Sequence, residues 1–528
     1  MTPLIDSLLK PGAYPHATPA PRLIETHISW VILAGEFAYK IKKPLDLGFL
    51  DFSSLDKRRH FCDEEIRLNT RLAPDIYLGV VAVTGTPEDP HIEGAGAAIE
   101  WAVKMRAFPA DATLDREAEI TAEQIDAIAD RIAAFHENIA IAPAESAYGA
   151  PESVIEPVEV NFAQLRKLLP LFDGETVKTL LDRLQAWSQA EGERLAAHFA
   201  ARKANGDIRE CHGDLHLGNI AWVDAKPLIF DALEFNPALR HIDVISEIAF
   251  LTMDLRHRGR PDLAWRLLNR YLEQTGAASG NCAGLAALPY YQVYRAMVRA
   301  KVAAIQASQA GADFAECLRY LNLADRLAHD RRPALVLMHG VSGAGKTWLS
   351  QHLLEQLGGI RLRSDVTRKR LFGLKPLQDS SADFSNTPDF SNTPGGIYTQ
   401  AASARTLATL LDDARTALAA GFLTIVDATF IHRSWRAPFQ ALAEEMGIAW
   451  WIVAVEAPSD VLHARIEQRQ QSGADASEAG LSVLASQLAN LEPFIPEEDA
   501  HVLRLGSGWT AADAIAQLRA ALNIQPYP

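Results

Sequence analysis

Apolar and polar residues follow two different patterns along this chain. In the N-terminal part, residues 26–44 have the pattern of two strands joined by a turn, residues 58–72 have helical periodicity, and residues 98–108 alternate like a strand. Mainly helical patterns follow over 121–201, with a break at 142–157, and over 243–255, 261–272 and 288–307. The first 25 residues contain five prolines and predict an irregular lead-in. The pattern predicts an α+β domain with its sheet first and its helices after.

A second pattern begins after residue 333. Residues 334–338 are continuously apolar, as in a strand buried on both faces, and residues 348–357 continue as a helix. Another apolar run, 422–426, ends at Asp427. This part predicts an α/β domain with a parallel sheet. A chain of 528 residues is too long for one core. We therefore predict two domains, 1–330 and 333–528.

Composition narrows the classes of function. The net charge of −15 disfavours a protein that wraps nucleic acid through its phosphates, although it leaves open a local basic pocket, so a nucleic-acid partner is disfavoured but not excluded. The four cysteines lie far apart and suggest neither a zinc site nor a disulfide framework, which fits a reducing cytoplasm. No apolar run approaches the ~20 residues that span a bilayer. The chain is expected to be cytoplasmic, with no membrane partner and with its oligomeric state left open.

The densest chemical motif is residues 212–219, which read His-Gly-Asp-Leu-His-Leu-Gly-Asn. Phosphoryl transfer from ATP to a hydroxyl needs a carboxylate at the hydroxyl and ligands for Mg²⁺. Protein kinases provide an Asp, an Asn five residues later, and a second Asp after a nearby strand. Asp214, Asn219 and Asp231 match that spacing. We predict Asp214 as the catalytic base and the other two as metal ligands.

A kinase of this type also needs a strand lysine for the ATP phosphates and a helix glutamate that orients it. Lys40 fits the Ala-x-Lys pattern best, and Lys42, on the same face of the strand, is the reserve choice. Residues 58–72 offer Glu64 and Glu65 as partners, of which Glu65 is preferred. With its His-Gly-Asp string, this half resembles the aminoglycoside phosphotransferase family, which implies a bilobal, protein-kinase-like fold.

Residues 340–347 form a complete Walker A pattern between a strand and a helix. The glycines Gly340, Gly343 and Gly345 let backbone N–H groups surround phosphates, Lys346 meets the β/γ oxygens, and Thr347 ligates Mg²⁺. Asp427 occupies the Walker B position and is predicted to support the same metal. ATP and Mg²⁺ are thus the expected cofactors of both halves.

Other residues distinguish a P-loop kinase from a motor. Asp365 and Arg368 form an Asp-x-x-Arg pattern, in which the Asp takes the acceptor proton and the Arg binds substrate. Arg465 and Arg469 lie four apart on a predicted helix and so share a face, as in a lid over the nucleotide. Together with Asp-Ala at the Walker B position, these features resemble polynucleotide-kinase and zeta-toxin-like P-loop kinases. A tandem hexapeptide, 383–394, predicts an inserted loop.

The whole chain resembles bifunctional aminoglycoside phosphotransferase/ATP-binding proteins. The resemblance implies an ATP-dependent kinase with two sites, acting on hydroxyl groups of a small metabolite such as a sugar or amino sugar. Two alternatives remain at this stage. One is a regulatory protein in which one domain only senses ATP; the other is a polynucleotide or nucleotide-sugar kinase activity of the C-terminal half.

Overall fold

The computed structural model describes residues 2–48, 50–109, 111–168, 175–275, 281–378, 380, 396–472, 476–506 and 508–525. The duplicated hexapeptide at 383–394 lies outside the described residues, so the prediction of a loop there stays a prediction. In chain order the helices are α1 (Pro3–Leu8), α2 (Leu55–Asn69), α3 (Ala122–Asn138), α4 (Pro151–Leu168), α5 (Glu175–Ala204), α6 (Pro237–Arg240), α7 (Val244–His257), α8 (Pro261–Thr275), α9 (Leu288–Ala310), α10 (Ala315–His329), α11 (Lys346–Leu357), α12 (Ser364–Leu371), α13 (Gln400–Ala419), α14 (Arg433–Glu445), α15 (Ser459–Ser472), α16 (Leu481–Ala489), α17 (Pro496–Asp499) and α18 (Ala511–Ala521). The strands are β1 (Arg22–Glu25), β2 (Ser29–Ala34), β3 (Phe37–Lys42), β4 (Tyr77–Gly85), β5 (Pro90–Ile92), β6 (Ala98–Arg106), β7 (Ile208–Glu210), β8 (Ile220–Val223), β9 (Lys226–Ile229), β10 (His241–Asp243), β11 (Ala334–His339), β12 (Ile360–Arg363), β13 (Leu423–Asp427), β14 (Ala449–Val455) and β15 (Val502–Leu505).

The N-terminal strands form a six-stranded antiparallel sheet in the order β1-β2-β3-β6-β4-β5. Strand β3 lies inside this sheet, between β2 and β6, and so presents Lys40 and Lys42 on one face. Helix α2 packs on the sheet and begins at Leu55 because the Ser54 hydroxyl accepts the Lys57 N–H (3.3 Å).

The prediction of an irregular lead-in is wrong. Residues 3–8 form helix α1, and Pro3 occupies its first position, where a missing N–H breaks no helical hydrogen bond. The Thr2 hydroxyl caps the helix by accepting the Ile5 N–H (3.5 Å). Ile5 and Leu8 are fully buried in the core of the six-stranded sheet. The proline count was misleading because a proline can begin a helix as well as interrupt one.

Short strands frame the segment that carries the His-Gly-Asp string. Strand β7 pairs with β10, and β8 and β9 form a hairpin, so residues 211–219 connect one pair to the other. The hairpin ends at Asp231, which has a left-handed backbone (φ 64°). A non-glycine residue in that region is strained and needs surrounding contacts to hold it.

The C-terminal strands form a five-stranded parallel sheet in the order β12-β13-β11-β14-β15. All six residues of β11 are buried, as the apolar run predicted. Ligands bind at the carboxyl ends of the strands of such sheets, and residues 340–347 leave β11 at that end. Both parts of the predicted architecture are confirmed: an antiparallel sheet followed by helices in the N-terminal half, and an α/β domain with a parallel sheet in the C-terminal half.

Contacts divide the chain into two compact units. The first contains residues 1–131, 135–153 and 200–251, and the second contains 132–134, 154–199 and 252–528. The predicted boundary at 330–333 stays a prediction. Helix α10 was not predicted, although its buried residues Cys317, Leu321 and Ala324 follow helical spacing. Among the described helices, none combines the length and the apolar character that crossing a membrane requires.

Candidate active sites

Lys40 on β3 is held between two carboxylates that come from distant segments of the chain. Its Nζ lies 2.9 Å from Glu65 Oε1 on α2 and 2.5 Å from Asp231 Oδ1 after β9. The preferred lysine and the preferred glutamate are therefore partners in space. Glu64 lies elsewhere, in ion pairs with Arg67 and Arg240.

Lys42, the reserve choice, is fully buried and contacts the other oxygen of Glu65 (2.7 Å) and also Glu234. Burial alone would lower the pKa of Lys42, but the carboxylates of Glu234 and Glu65 outweigh it and raise that pKa. Burial raises the pKa of Glu234, and the negative charge of Glu65 adds to that shift, while the ammonium of Lys42 opposes it. The Lys42–Glu234 ion pair is buried, whereas Lys40 is the lysine that contacts Asp231.

The same competition of forces acts at Lys40 and Glu65. Burial would lower the pKa of Lys40, yet Asp231 and Glu65 raise it well above its usual value. Burial would raise the pKa of Glu65, and the two lysines Lys40 and Lys42 lower it instead. Lys40, Lys42 and Glu65 are thus charged at neutral pH, and the ammonium of Lys40 is held between the carboxylates of Glu65 and Asp231.

Asp214 and Asn219 lie side by side, as their spacing predicted. The Asn219 amide Nδ2–H₂ donates to the Asp214 backbone carbonyl (2.9 Å) and to its carboxylate Oδ2 (3.2 Å). The His216 Nε2 lies 3.5 Å from the same Oδ2, while its Nδ1 accepts the Gly218 N–H (3.1 Å). The Asp214 carboxylate is oriented from two sides and stays 37% exposed. It can therefore meet a hydroxyl group from solvent.

His212 joins this loop to the segment that carries Asp231. Its Nε2–H donates to the Phe230 carbonyl (2.8 Å), and its Nδ1 accepts the Asp214 N–H (3.3 Å). The Phe230 N–H in turn donates to the Asn219 carbonyl (3.0 Å). Burial lowers the pKa of His212, so this imidazole is neutral, as its one donor and one acceptor require. The predicted base and both predicted metal ligands thus belong to one hydrogen-bonded unit.

Two residues that the sequence analysis did not single out, Glu247 and His136, hold the His-Gly-Asp loop in place through hydrogen bonds. Glu247 on α7 accepts the His212 N–H (3.2 Å) and the Gly213 N–H (2.7 Å) through its two carboxylate oxygens. His136 on α3 donates to the same carboxylate from Nε2 (2.7 Å), and both side chains are buried. Burial would raise the pKa of Glu247, but these donors lower it to about 2. An acidic residue inside an apolar helix was the available sequence signal.

Gly213 allows the loop to approach α6 closely. Its backbone is left-handed (φ 87°), and a Cβ there would lie 2.8 Å from the Leu239 carbonyl oxygen. Any other residue at this position would be strained and would displace that backbone. The glycine of the His-Gly-Asp string is therefore a packing requirement of the loop.

The phosphate-binding loop of the second unit has the backbone that its glycines permit. Gly340, Gly343 and Gly345 all have positive φ, and a Cβ on Gly343 would lie 3.0 Å from the Leu462 carbonyl oxygen. Lys346 begins α11 and is buried, with its Nζ donating to the Val341 carbonyl (2.9 Å). Backbone N–H groups at a helix N-terminus and an adjacent lysine form an anion site.

The two predicted lid arginines on α15 make different hydrogen bonds. The Arg465 Nη1 donates to the carbonyls of Gly343 (3.2 Å) and Ala344 (3.1 Å), which places this guanidinium on the phosphate loop. The Arg469 Nη2 donates to the Ala479 carbonyl (2.5 Å). The role of both arginines as a lid stays a prediction.

Asp427 lies close to α11, as a Walker B residue should. The Ser350 hydroxyl donates to its Oδ2 (3.3 Å), and Arg363 Nε lies 4.0 Å from the same atom. Glu273 on α8 contacts both Arg361 (2.7 Å) and Arg363 (3.7 Å). A buried series of charges therefore links α8 to the predicted metal side of the phosphate site, which the sequence reading had not anticipated.

Asp365 and Arg368 occupy neighbouring turns of α12. Arg368 donates to the Ile397 carbonyl (3.2 Å) and the Ser403 hydroxyl (3.1 Å), and its guanidinium lies 5.3 Å from the centre of the Tyr398 ring. Burial lowers the pKa of Arg368, while the negative charge of Asp365 opposes that shift.

Tyr398 and Ser403 also line a pocket of about 780 Å³ between α13 and α14, a size that suits a small molecule. Its walls are aromatic, hydroxyl-bearing and aliphatic, and comprise Tyr398, Gln400, Ser403, Ala404, Leu407, Ala408, Leu411, His432, Ser434, Trp435, Pro438 and Phe439. His432 is the one titratable side chain besides Tyr398 in this lining, and it faces Glu492 (3.2 Å). Such walls fit a neutral ring compound better than a multiply charged one.

The donor sets at both sites suit Mg²⁺. Asp231 and Asn219 supply carboxylate and amide oxygens, and Asp427 and Thr347 supply a carboxylate and a hydroxyl. Hard oxygen ligands of this kind, completed by phosphate oxygens and water, are those that Mg²⁺ prefers. The carboxylate of Asp231 beside Lys40 is half-exposed (45%), so a metal ion can reach it from solvent.

Comparison with known proteins finds matches to both halves. A family model described as AAA domain matches residues 335–494. The uncharacterized protein Rv2004c of Mycobacterium tuberculosis is 30% identical over 469 residues, which are 88% of this chain and 90% of that protein. The uncharacterized protein Mb2027c of Mycobacterium bovis matches with the same figures.

Solved structures match parts of the chain. A sugar kinase from Janibacter sp. is 22% identical, covering 37% of this chain and 95% of its own, with a TM-score of 0.27. An ethanolamine kinase from Plasmodium vivax is 11% identical, covering 58% and 81%, with a TM-score of 0.37. A GDP complex of an aminoglycoside 2'-phosphotransferase mutant is 13% identical, covering 60% and 94%, with a TM-score of 0.39.

Proposed function

We propose that this chain, which belongs to the same family as the mycobacterial protein Rv2004c, is an ATP-dependent kinase with two separate phosphotransfer sites. The observation that carries the proposal is the meeting of Lys40, Glu65 and Asp231. These residues come from a strand, a helix and a hairpin end, up to 191 residues apart. A purely structural ion pair has no need of a half-exposed, backbone-strained aspartate beside an oriented base. Phosphoryl transfer needs both.

In the N-terminal site (Lys40, Glu65, Asp214, Asn219 and Asp231), Asp214 is the base. Its carboxylate, oriented by Asn219 and His216, accepts the proton of an acceptor hydroxyl as that oxygen bonds to the γ-phosphorus of ATP, while the bond from this phosphorus to the bridging oxygen breaks and ADP leaves with the electron pair. Lys40 leaves Asp231 in part to contact ATP phosphate oxygens. Mg²⁺, held by Asn219 and Asp231, would neutralise phosphate charge.

In the P-loop site (residues 340–347, Asp365, Arg368, Asp427 and Arg465), the loop and Lys346 bind the triphosphate. Asp365 faces the acceptor and takes its proton, and Arg368 with Ser403 fixes the wall of the adjoining pocket. Thr347 and Asp427 would hold Mg²⁺ at this site. We predict that Arg465 turns from the loop carbonyls to the transferred phosphate. The corresponding lid role of Arg469 also stays a prediction.

The 780 Å³ pocket favours a small metabolite such as a sugar or amino sugar as the acceptor. Tyr398 and Trp435 offer flat faces for the C–H side of a ring, and Ser403, Ser434 and Gln400 offer partners for hydroxyl groups. A polymer end or a phosphorylated substrate would call for more cationic walls. The sensor alternative differs in predicting ATP binding without a phosphorylated product.

The test is a mass-spectrometric screen of a metabolite extract for products that gain a phosphate in the presence of the full chain, ATP and Mg²⁺. The screen is repeated with Asp214→Asn, with Asp365→Asn, and with the exposed-residue controls Asp75→Asn and Asp460→Asn. Each active-site variant should remove one class of product, and the controls should remove none. An extract that gains no phosphate product with the wild-type chain, which still binds ATP, would favour the sensor.

A further inference from the structure

Trp348 is an exposed indole directly beside the phosphate-binding loop. It follows Thr347 in the first turn of α11, and 53% of its surface is exposed. The apolar residues that α11 turns inward, Leu349, Leu353 and Leu354, are buried. The Trp348 side chain therefore takes no part in the core, and it directly follows Thr347, the last residue of the Walker A pattern.

A second tryptophan meets it from another element. The ring of Trp509 lies 6.0 Å from that of Trp348, centre to centre, with the planes tilted by 56°. Trp509 lies between β15 and α18. Because the sheet is parallel, the loop leaving β15 lies at the same edge as the phosphate loop. The start of α11 and the segment between β15 and α18, which are far apart in the sequence, thus bring their indole rings together.

Local contacts fix this pair of rings. Trp509 immediately precedes Thr510, which caps α18 by accepting the Asp513 N–H (3.2 Å), with Asp513 bonding back to Thr510. Arg519 of α18 donates to the Gln356 carbonyl at the end of α11 (3.0 Å). The ring of His352, one turn along α11, lies 4.2 Å from that of Trp348. These bonds position the Trp509 backbone at the start of α18 and join α18 to α11, and His352 packs against the Trp348 ring.

We propose that Trp348 and Trp509 form the subsite for the base of a nucleoside triphosphate whose phosphates occupy the loop 340–347. The inference rests on the proposed function in so far as that loop binds a triphosphate. A nucleobase is a flat aromatic heterocycle, and its face stacks well on an indole. Since the rings are tilted, they make a corner rather than a parallel clamp: the base lies on the open face of Trp348, and Trp509 closes one side. Stacking is tolerant of base identity, so both purines fit.

The test compares ATP with inorganic tripolyphosphate, which carries the same phosphate chain without a base. Both are titrated, with Mg²⁺, into the full-length wild type, Trp348→Ala, Trp348→Phe and Trp509→Ala. The binding signal of the P-loop site is identified as the part that Lys346→Ala removes. Stacking by one ring contributes about 1–3 kcal/mol per base, so Trp348→Ala should weaken ATP about 5- to 150-fold. It should leave tripolyphosphate within about twofold, and Trp348→Phe, which keeps an aromatic face, should restore most of the ATP affinity.

Two results would overturn the inference alone. In one, Trp348→Ala and Trp509→Ala leave ATP affinity unchanged although Lys346→Ala removes the signal. In the other, Trp348→Ala weakens both ligands equally, which would mean that Trp348 supports the loop and does not meet the base. If Lys346→Ala alters the binding of neither ligand, the loop is not a triphosphate site, and the proposed function of this half falls as well. A spectroscopic check is quenching of indole fluorescence by ATP that Trp348→Phe reduces.

Discussion

The ammonium of Lys40 lies 2.5 Å from the carboxylate of Asp231, although 191 residues separate them. The lysine that is predicted to bind phosphates and the aspartate that is predicted to bind metal therefore neutralise each other's charge. A metal-nucleotide complex brings both a cation for Asp231 and anions for Lys40, so it can replace this pair without leaving a buried charge alone.

We expect Lys40→Ala and Lys42→Ala to behave differently. Lys40→Ala should lower kcat/KM for ATP at the N-terminal site by at least about 100-fold with a modest effect on stability, because Glu65 keeps Lys42 as a partner. Lys42→Ala leaves Glu234 and Glu65 buried with less counter-charge, and breaking such a pair costs about 3–5 kcal/mol. Urea denaturation and steady-state kinetics on each variant separate the two effects. A Lys42 variant of normal stability but no turnover would reverse the assignment.

Asp214→Asn should keep ATP affinity and lose turnover. The amide retains the shape that Asn219 and His216 contact but cannot take a proton, and loss of a general base typically lowers rates by about 10²–10⁴. Acceptor phosphorylation and ATP binding are measured in parallel, with Asp75→Asn as the control. Turnover that survives in Asp214→Asn while Asp365→Asn abolishes it would show that the P-loop site carried all the activity.

Stability in acid should depend on Glu247. Its donors lower its pKa in the folded protein to about 2, below the unfolded value, so its carboxylate stabilises the fold above about pH 4.5. That contribution, on the order of 3 kcal/mol, is lost as the pH falls from about 4.5 towards 2. The titratable and charged groups near its carboxylate are His136, His212, Arg71 and Cys211, and two backbone N–H groups also donate to it. Denaturation between pH 3 and 6 should show a flatter profile for Glu247→Gln; an unchanged slope would contradict this.

Asp365→Asn should block transfer at the P-loop site and spare ATP binding, because the role proposed for Asp365 is to take the proton of the acceptor hydroxyl, whereas the triphosphate is proposed to bind to the phosphate loop and Lys346. Lys346→Ala should instead remove ATP binding there. ATP affinity, ATP hydrolysis and acceptor phosphorylation distinguish the two variants, with Asp460→Asn as the matched control. Hydrolysis at the wild-type rate without acceptor would favour a motor, and undiminished acceptor phosphorylation by Asp365→Asn would remove that residue from the site.

The sequence alone determined the local parts of both sites. Asp214 and Asn219 are five residues apart, and Lys346 follows its glycines directly, so backbone geometry within one loop fixes their relation. Strand patterns likewise placed Lys40 and Lys42 on one face. Where a few consecutive residues dictate the geometry, spacing is sufficient evidence.

Only the tertiary structure shows different partners for Lys40 and Lys42, which share a strand face and a glutamate. Lys40 contacts Asp231 and Lys42 contacts Glu234, and these contacts depend on where the chain that follows β9 lies relative to β3. The role of Lys40 in binding ATP stays a prediction. The same holds for Glu247 beneath the His-Gly-Asp loop and for Trp509 beside Trp348. Sequence spacing carries no information about partners brought together by packing of distant elements, because burial and crossing geometry set those distances.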